Sequence, residues 1–128
     1  MEAHTAGRAL IVDDEALIRW SIAERLESHG YTATEADDGA SALDALSGAA
    51  PPDVIFLDYR LPDSKDLGLL REIRRVSPQS AVVMMTAFGT PEMFNEALEL
   101  GAYRVLTKPF DLLQLADIAD AARASMRR

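Results

Sequence analysis

Short apolar runs alternate with amphipathic stretches along almost the whole chain. Five runs rich in β-branched and other apolar residues are predicted strands, at 9–13, 31–36, 54–58, 81–86 and 103–107. Segments with helical spacing of apolar positions follow each of them, at 15–28, 40–47, 66–76, 91–99 and 111–126. This alternation is typical of a parallel sheet covered by helices on both faces. The pattern therefore predicts one α/β domain.

The polarity of each predicted strand indicates its place in the sheet. The runs at 9–13, 54–58 and 81–86 are almost entirely apolar before their last residue, as expected for central strands, whereas 31–36 mixes in polar residues and suits an edge. The simplest doubly wound arrangement then has the strand order 2-1-3-4-5. Only residues 1–7 are expected to form a flexible tail.

Local signals agree with these predicted elements. Thr90 followed by Pro91 is typical of a helix start, and Asp111 is a predicted cap of the last helix.

Met84 and Met85 are interpreted as core residues, and Trp20 is interpreted as a half-buried packing residue.

Composition excludes several classes of function. The 128 residues suit one domain, and 13 basic against 21 acidic residues give a net charge of −8, which disfavours nucleic acid and anionic lipid as direct partners. The chain has no cysteine, and His4 and His29 have no companion at metal-binding spacing. No apolar run has the length of a membrane span or the form of a secretory signal. The expected compartment is the cytoplasm.

Polar side chains end four of the predicted strands. In open parallel sheets, ligands bind beyond the carboxyl ends of the strands, where the strand order reverses, here between the first and third strands. The residues at these ends are Asp13, Asp14, Glu15, Asp58, Thr86, Ala87, Thr107, Lys108 and Pro109. We therefore expect an acidic pocket that also holds a hydroxyl and an ammonium group.

Three carboxylates at one sheet edge indicate a cation site. Asp13, Asp14 and Asp58 would repel one another without a cation, and oxygen ligands with room for water suit Mg²⁺. With the charge balanced by Mg²⁺ and Lys108, the Asp58 carboxylate is suited to attack phosphorus and form an aspartyl-phosphate, while Thr86 hydrogen-bonds a phosphoryl oxygen. Taken alone, Asp13 and Asp14 fit equally well as caps of the first helix.

Four segments carry a resemblance to a known family. They are IVDDE (11–15), VIFLDYRLPD (54–63), MTAFG (85–89) and LTKPF (106–110). Together they resemble the CheY-like receiver domain of two-component response regulators, and most of all the receivers of NtrC-type transcriptional activators. The resemblance implies a flavodoxin-like, five-stranded fold and a receiver domain at residues 8–128.

The resemblance also implies roles for individual residues. Asp58 would be the phosphoacceptor. The Mg²⁺ ligands would be Asp58, Asp14, Asp13 through a water molecule, and the backbone carbonyl of Arg60. The only reactions that such a domain catalyses are its own phosphorylation and dephosphorylation, so we do not expect an enzyme in the usual sense.

The switch residues depart in part from the family pattern. Thr86 and Lys108 match the switch hydroxyl and the phosphate-binding lysine. The aromatic residue that the family commonly has three positions before the lysine is Val105 here. Either the switch is altered, or Tyr103, on the same face of the strand, partly replaces the missing ring.

Two further departures concern the rim of the pocket. Lys65-Asp66 stands where many receivers have Asp-Gly, and an aspartate tolerates positive φ better than most residues. Arg60 and Phe88 occupy positions that in this family control the access of water to the phosphoryl group. Their bulk suggests slow autodephosphorylation.

The expected function is a phosphorylation-dependent switch. A sensor histidine kinase would donate the phosphoryl group, and the face formed by the fourth helix, fifth strand and fifth helix would change its partners. This face includes residues 87–99 and 103–106, with Ala87, Phe88, Tyr103 and Val105, and the family default is a homodimer through it. The ATPase and DNA-binding domains of NtrC-type regulators are missing from this chain, which is either an excised domain or one that works alone.

Two other functions are compatible with parts of the sequence. Haloacid-dehalogenase-like phosphatases also form an aspartyl-phosphate, but they need a second aspartate two residues after the nucleophile, where this chain has Arg60. A phosphorylation-independent protein-binding scaffold would leave the acidic positions without a task. Loss of Mg²⁺ affinity would favour the scaffold.

Overall fold

The computed structural model describes residues 7–48 and 50–126. The strands are β1 (Gly7–Val12), β2 (Tyr31–Ala36), β3 (Val54–Asp58), β4 (Ala81–Thr86) and β5 (Arg104–Thr107). The helices are α1 (Ala16–Glu27), α2 (Gly39–Leu46), α3 (Gly68–Val76), α4 (Pro91–Glu99) and α5 (Leu115–Ser125), and a 3₁₀ turn (Leu112–Gln114) precedes α5. No helix within these described ranges has the length and apolar character that crossing a bilayer requires.

All five strands form one parallel sheet in the order β2-β1-β3-β4-β5. This confirms the predicted fold class and strand order. Because the first crossover leads outward to β2 and the next returns past β1 to β3, the order reverses between β1 and β3. The carboxyl ends of these two strands therefore flank the crevice in which a ligand of such a sheet is expected.

Alternate residues of the central strands enter two separate core layers. Ile11, Phe56 and Val83 point to the layer covered by α1 and α5, whereas their neighbours Leu10 and Ile55 point to the layer covered by α2, α3 and α4. Each large side chain that is fully buried in this way contributes about 1.5–3 kcal/mol to stability. Burial on both faces explains why these strands are almost continuously apolar.

The ends of several elements follow from local chemistry. Thr90 caps α4 by accepting a hydrogen bond from the Met93 N–H, with Pro91 at the first helical position as predicted. Gly30 and Gly101 have φ values of 92° and 106°, which let the chain leave α1 and α4 in a left-handed conformation.

Some sequence predictions need correction. Gly7 belongs to β1 rather than to the predicted tail, whose residues 1–6 lie outside the described ranges. Asp111 caps the 3₁₀ turn, not α5 itself, because its carboxylate accepts from the Leu113 N–H. Met84 and Met85 are core residues as predicted. Trp20, predicted to be a half-buried packing residue, is 54 % exposed and is not among the side chains that pack against either core layer.

Candidate functional site

The ends of β1, β3, β4 and β5 meet at one edge of the sheet and surround a cavity of about 280 Å³. The parallel register places Asp58 at the end of β3 beside β4, and Thr86 at the end of β4 opposite Thr107. The residues that line the cavity are Asp14, Glu15, Asp58, Arg60, Thr86, Ala87, Phe88 and Lys108. Most of the predicted strand-end residues are thus together around one cavity.

Three carboxylates form the floor of this site. Asp13, Asp14 and Asp58 each offer one oxygen, and the three oxygens lie within 4.8 Å of one another. Asp13 is completely buried and Asp58 is 7 % exposed, while Asp14 is exposed. Buried carboxylates at this spacing raise each other's energy unless a cation lies between or beside them.

Lys108 supplies that positive charge from the end of β5. Its Nζ lies 2.8 Å from Asp13 Oδ2, 3.3 Å from Asp58 Oδ1 and 3.7 Å from Glu15 Oε1. Burial by itself would lower the pKa of Lys108, but the hydrogen bond to Asp13 and the charge of Asp58 outweigh it and raise the pKa above its usual value. The side chain therefore stays charged. The Lys108 N–H donates to the Thr86 carbonyl at 2.7 Å, and the bond to Pro109 is cis.

The environment of Asp58 favours its neutral form. Burial, followed by the charge of Asp13, raises the pKa of Asp58 to about 6, although Lys108 and the backbone N–H of Arg60 act in the opposite direction. An additional cation near these carboxylates would favour the ionised form. Asp58 is therefore an acidic group whose charge state depends on what binds beside it.

Thr86 and the segment after it form the other wall of the cavity. Thr86 is buried, and its Oγ1 accepts a hydrogen bond from the Phe88 N–H at 3.2 Å. The next four residues, 87–90, are all exposed, with Phe88 at 81 %. Since Oγ1 is the acceptor in this bond, the hydroxyl proton is free to be donated elsewhere.

Asp13 and Asp14 do not cap the first helix. The residue at the N-cap position of α1 is Glu15, and no side chain caps the helix there. Asp13 instead accepts from the Glu15 N–H at 2.9 Å and from Lys108, while its carbonyl accepts from Arg19 Nη1 at 2.6 Å. Arg19 is a supporting residue that sequence reasoning missed, because nothing in its local pattern distinguishes it from a surface arginine.

Val105 on β5 and Tyr103 just before this strand have different surroundings. Val105 is half-buried and packs against the core layer under α4, whereas Tyr103 is 39 % exposed. Thr107, the partner of Thr86 in the sheet, lies four residues after Tyr103, or about 13 Å along the strand. The Tyr103 backbone thus lies far from Thr86 along the strand direction, and partial replacement of the missing aromatic residue by Tyr103 stays a prediction.

The donor set fits a hard divalent cation. Three carboxylate oxygens lie close together, Asp14 is accessible to solvent, and the cavity has room for water ligands. Mg²⁺ favours oxygen ligands and retains several waters in its coordination shell. The residues present therefore suit Mg²⁺ better than metals that prefer sulfur or nitrogen ligands.

Comparison with known proteins agrees with the fold. The response regulator receiver domain profile matches residues 9–120. The chain is 36 % identical over 116 residues to the DNA-binding transcriptional regulator NtrC of Klebsiella pneumoniae. The aligned region covers 91 % of this chain and 24 % of NtrC. It is 34 % identical over 110 residues to sporulation initiation phosphotransferase F of Bacillus subtilis, covering 86 % of this chain and 88 % of that protein.

A solved structure is similar over the same region. The crystal structure of the receiver domain of NtrX from Brucella abortus matches with a TM-score of 0.82 and 37 % identity, covering 91 % of this chain and 98 % of that one. The chain spans about a quarter of the length of NtrC. The strand-end carboxylates, the parallel sheet and the matched profile lead to one conclusion: this chain belongs to the response regulator receiver domain family.

Proposed function

We propose that this chain accepts a phosphoryl group on Asp58 from the phosphohistidine of a sensor histidine kinase, in a reaction that requires Mg²⁺. The observation that carries the proposal is the cluster of Asp13, Asp14 and Asp58 with Lys108 at the reversal point of the sheet. An oxygen of the Asp58 carboxylate forms the new bond to phosphorus, and the bond from phosphorus to the imidazole nitrogen breaks. The histidine leaves as the electron pair returns to its ring.

The residues that would hold the cation are Asp14 and Asp58 directly, Asp13 through a water molecule, and Arg60 through its backbone carbonyl. Bound Mg²⁺ would neutralise the charge that develops on the phosphoryl oxygens. Lys108, already held by Asp13, neutralises the remaining charge as its contact with Asp58 gives way to one with the phosphoryl group.

Thr86 is proposed to report the phosphorylated state to the surface. Its hydroxyl proton can be donated to a phosphoryl oxygen on Asp58, and the exposed segment 87–90 then moves with it. The face that changes partners is formed by α4, β5 and α5, with Ala87, Phe88, Tyr103 and Val105 at or near it. Exposed Leu98 and Tyr103 favour a second copy of the chain as one partner.

An apolar groove beside the site favours a protein as phosphodonor. It has a volume of about 490 Å³, lies between the start of α1 and the segment that follows β5, and adjoins the acidic cavity through Glu15, Ala87 and Lys108. Leu17 and Ile18 line one side, and Leu17 is 74 % exposed. A helix of the kinase that carries its phosphohistidine would bury this apolar surface while facing Asp58.

Two other functions are less well supported. A haloacid-dehalogenase-like phosphatase needs a carboxylic acid where this chain has Arg60, whose side chain is exposed on the rim. A scaffold that never becomes phosphorylated gives no reason to bury Asp13 and Asp58 beside each other at a cost in stability. We therefore propose a signalling domain that catalyses only its own phosphorylation and dephosphorylation.

The proposal is tested by measuring the intact mass of the chain after incubation with Mg²⁺ and acetyl phosphate. We expect one phosphoryl adduct on the wild type and none on Asp58→Asn, because the amide is not a nucleophile towards phosphorus. Omission of Mg²⁺ should abolish the adduct. Mg²⁺ binding without any adduct would contradict the proposal and favour the scaffold.

A further inference from the structure

The segment that follows Asp58 is tied to α2 by a single carboxylate. Asp63 accepts two hydrogen bonds from the first residues of that helix, at 2.7 Å from the Gly39 N–H and at 3.0 Å from the Ala40 N–H. The two bonds use different oxygens of the carboxylate. Free N–H groups at a helix N-terminus carry partial positive charge, so an ionised acceptor binds them strongly.

Close approach of this carboxylate explains why residue 39 is a glycine. A Cβ at this position would lie 3.1 Å from Asp63 Oδ1 and 3.2 Å from Leu69 Cδ2, so one of these neighbours would have to move. The helix has its own cap in Asp38, whose carboxylate accepts from the Ser41 N–H at 2.8 Å. Asp63 is therefore an addition from a distant part of the chain rather than the only cap of α2.

Between Asp58 and Asp63 the chain is held at several points. The Tyr59 N–H donates to the Met85 carbonyl at 2.8 Å, which continues the pairing of β3 with β4. Leu61 is buried and exchanges two backbone hydrogen bonds with Ser64, at 2.8 and 3.2 Å. Only Arg60 lies between these fixed points, and it lines the same cavity as Asp58.

We propose that Asp63 is a positioning residue for the phosphoryl site. By fastening the segment 59–64 to α2, it fixes the backbone of Arg60, which lines the cavity beside Asp58 and would offer its carbonyl to the cation. The inference rests on the proposed function, since it assigns a task to Asp63 at the same site. Asp63 touches neither the cation nor the phosphoryl group and acts through Arg60.

The test compares Mg²⁺ binding by calorimetry in wild type, Asp63→Ala and Asp63→Asn. Loss of a partner that supports a metal ligand typically weakens affinity 10- to 100-fold, and we expect about a tenfold loss for Asp63→Ala because the Leu61–Ser64 bonds remain. Asp63→Asn keeps one acceptor oxygen and should lose less. Amide exchange at Arg60 and Leu61 should become faster in Asp63→Ala.

Two control variants distinguish a positioning effect of Asp63 on Mg²⁺ affinity from an effect of its charge and from an effect on the stability of α2. Asp66→Ala removes a carboxylate from the same loop, one that accepts only a local bond from the Gly68 N–H at 2.8 Å. Asp38→Ala weakens the start of α2 without releasing the segment 59–64. Both should keep the Mg²⁺ affinity within about twofold of the wild type, because neither contact reaches Arg60.

Several results would overturn the inference. The first is an Mg²⁺ affinity of Asp63→Ala equal to that of the wild type. The second is an equal loss of Mg²⁺ affinity in Asp66→Ala, which would indicate a charge effect. The third is an equal loss of Mg²⁺ affinity in Asp38→Ala, which would indicate an effect of helix stability. If Asp63→Ala does not fold, the comparison of Asp63→Asn with the same controls decides the question. Failure of the wild type itself to bind Mg²⁺ or to form the adduct would instead refute the proposed function.

Discussion

At the scale of single residues, Asp58 is held in a place that disfavours its charge. Its pKa is raised from 3.8 to about 6, chiefly by burial and then by Asp13. Between these values the folded state holds a proton that the unfolded state has lost. The stabilising effect of this proton is fully present below about pH 4 and disappears as the pH rises through about 6.

Replacement of Asp58 by asparagine should therefore stabilise the metal-free protein at pH 7.5. The neutral amide avoids the cost of the buried charge, and the shift in pKa corresponds to a gain of about 1–3 kcal/mol in the free energy of unfolding. Urea denaturation in the presence of a chelator measures this gain in the free energy of unfolding. The gap between variant and wild type should narrow as the pH falls through about 6 and disappear only below about pH 4. Equal stability at pH 7.5 would contradict the prediction.

Sequence patterns predict the ends of the strands but not the contacts between side chains and distant backbone groups. The strand-end positions of Asp13, Asp58 and Lys108 were predictable because an abrupt change from apolar to polar residues marks each strand end. Asp63 and Arg19 were not, since each acts on a backbone group 24 or 6 residues away, and no local pattern encodes that contact.

At the scale of elements, α5 is fastened to the sheet at the end opposite the site. The buried Tyr31 hydroxyl donates to Asp120 Oδ1 at 2.5 Å, and the Arg123 guanidinium lies 5.8 Å from the centre of the tyrosine ring. Burial and the hydrogen bond to Asp120 raise the pKa of Tyr31 well above its usual value. The hydroxyl is therefore a constant donor at every pH at which the domain is stable.

Tyr31→Phe should loosen α5 without changing the site. Loss of one hydrogen bond to a charged acceptor corresponds to about 1.5–3 kcal/mol. The amides of α5 should exchange faster, while phosphorylation by acetyl phosphate is unchanged. Tyr103→Phe, which removes a more exposed hydroxyl, is the matched control and should have little effect. Equal exchange rates for α5 in Tyr31→Phe and wild type would exclude this role of the contact.

The start of α1 gives a second prediction at this scale. If the phosphodonor packs on the groove beside Lys108, Leu17→Ser should slow transfer from a histidine kinase about five- to tenfold, as expected for loss of an exposed apolar anchor. The rate with acetyl phosphate, which needs no docking surface, should not change. Leu98→Ser on α4 serves as the control, and slowing by this variant to the same degree would argue against the groove.

Helix and strand positions were predicted well where packing and local signals agree. The start of α4 follows from Thr90 and Pro91, and the central strands follow from their burial on both faces. The last helix starts later than predicted because Asp111 favours a 3₁₀ turn before it. The exposure of Trp20 was not predictable, since an apolar residue on a helix gives no sign of whether its own face is covered.

At the scale of the whole molecule, the fold and the location of the site have the same origin. A sheet with helices on both sides needs apolar strands, and a polar residue is tolerated only where such a strand leaves the core. The strand order then decides which of these polar ends meet. This is why the meeting of the acidic strand ends was predictable from sequence.

The exposed segment 87–90 affects how fast the domain can signal. One hydrogen bond, from the Phe88 N–H to Thr86 Oγ1, connects this segment to the site. Exposed loops rearrange within nanoseconds to microseconds and need no opening of the core. We therefore expect this segment to follow the chemical state of Asp58 without delay. The lifetime of the signal would then equal the lifetime of the phosphorylated aspartate. The active conformation would not persist after the aspartyl-phosphate is hydrolysed.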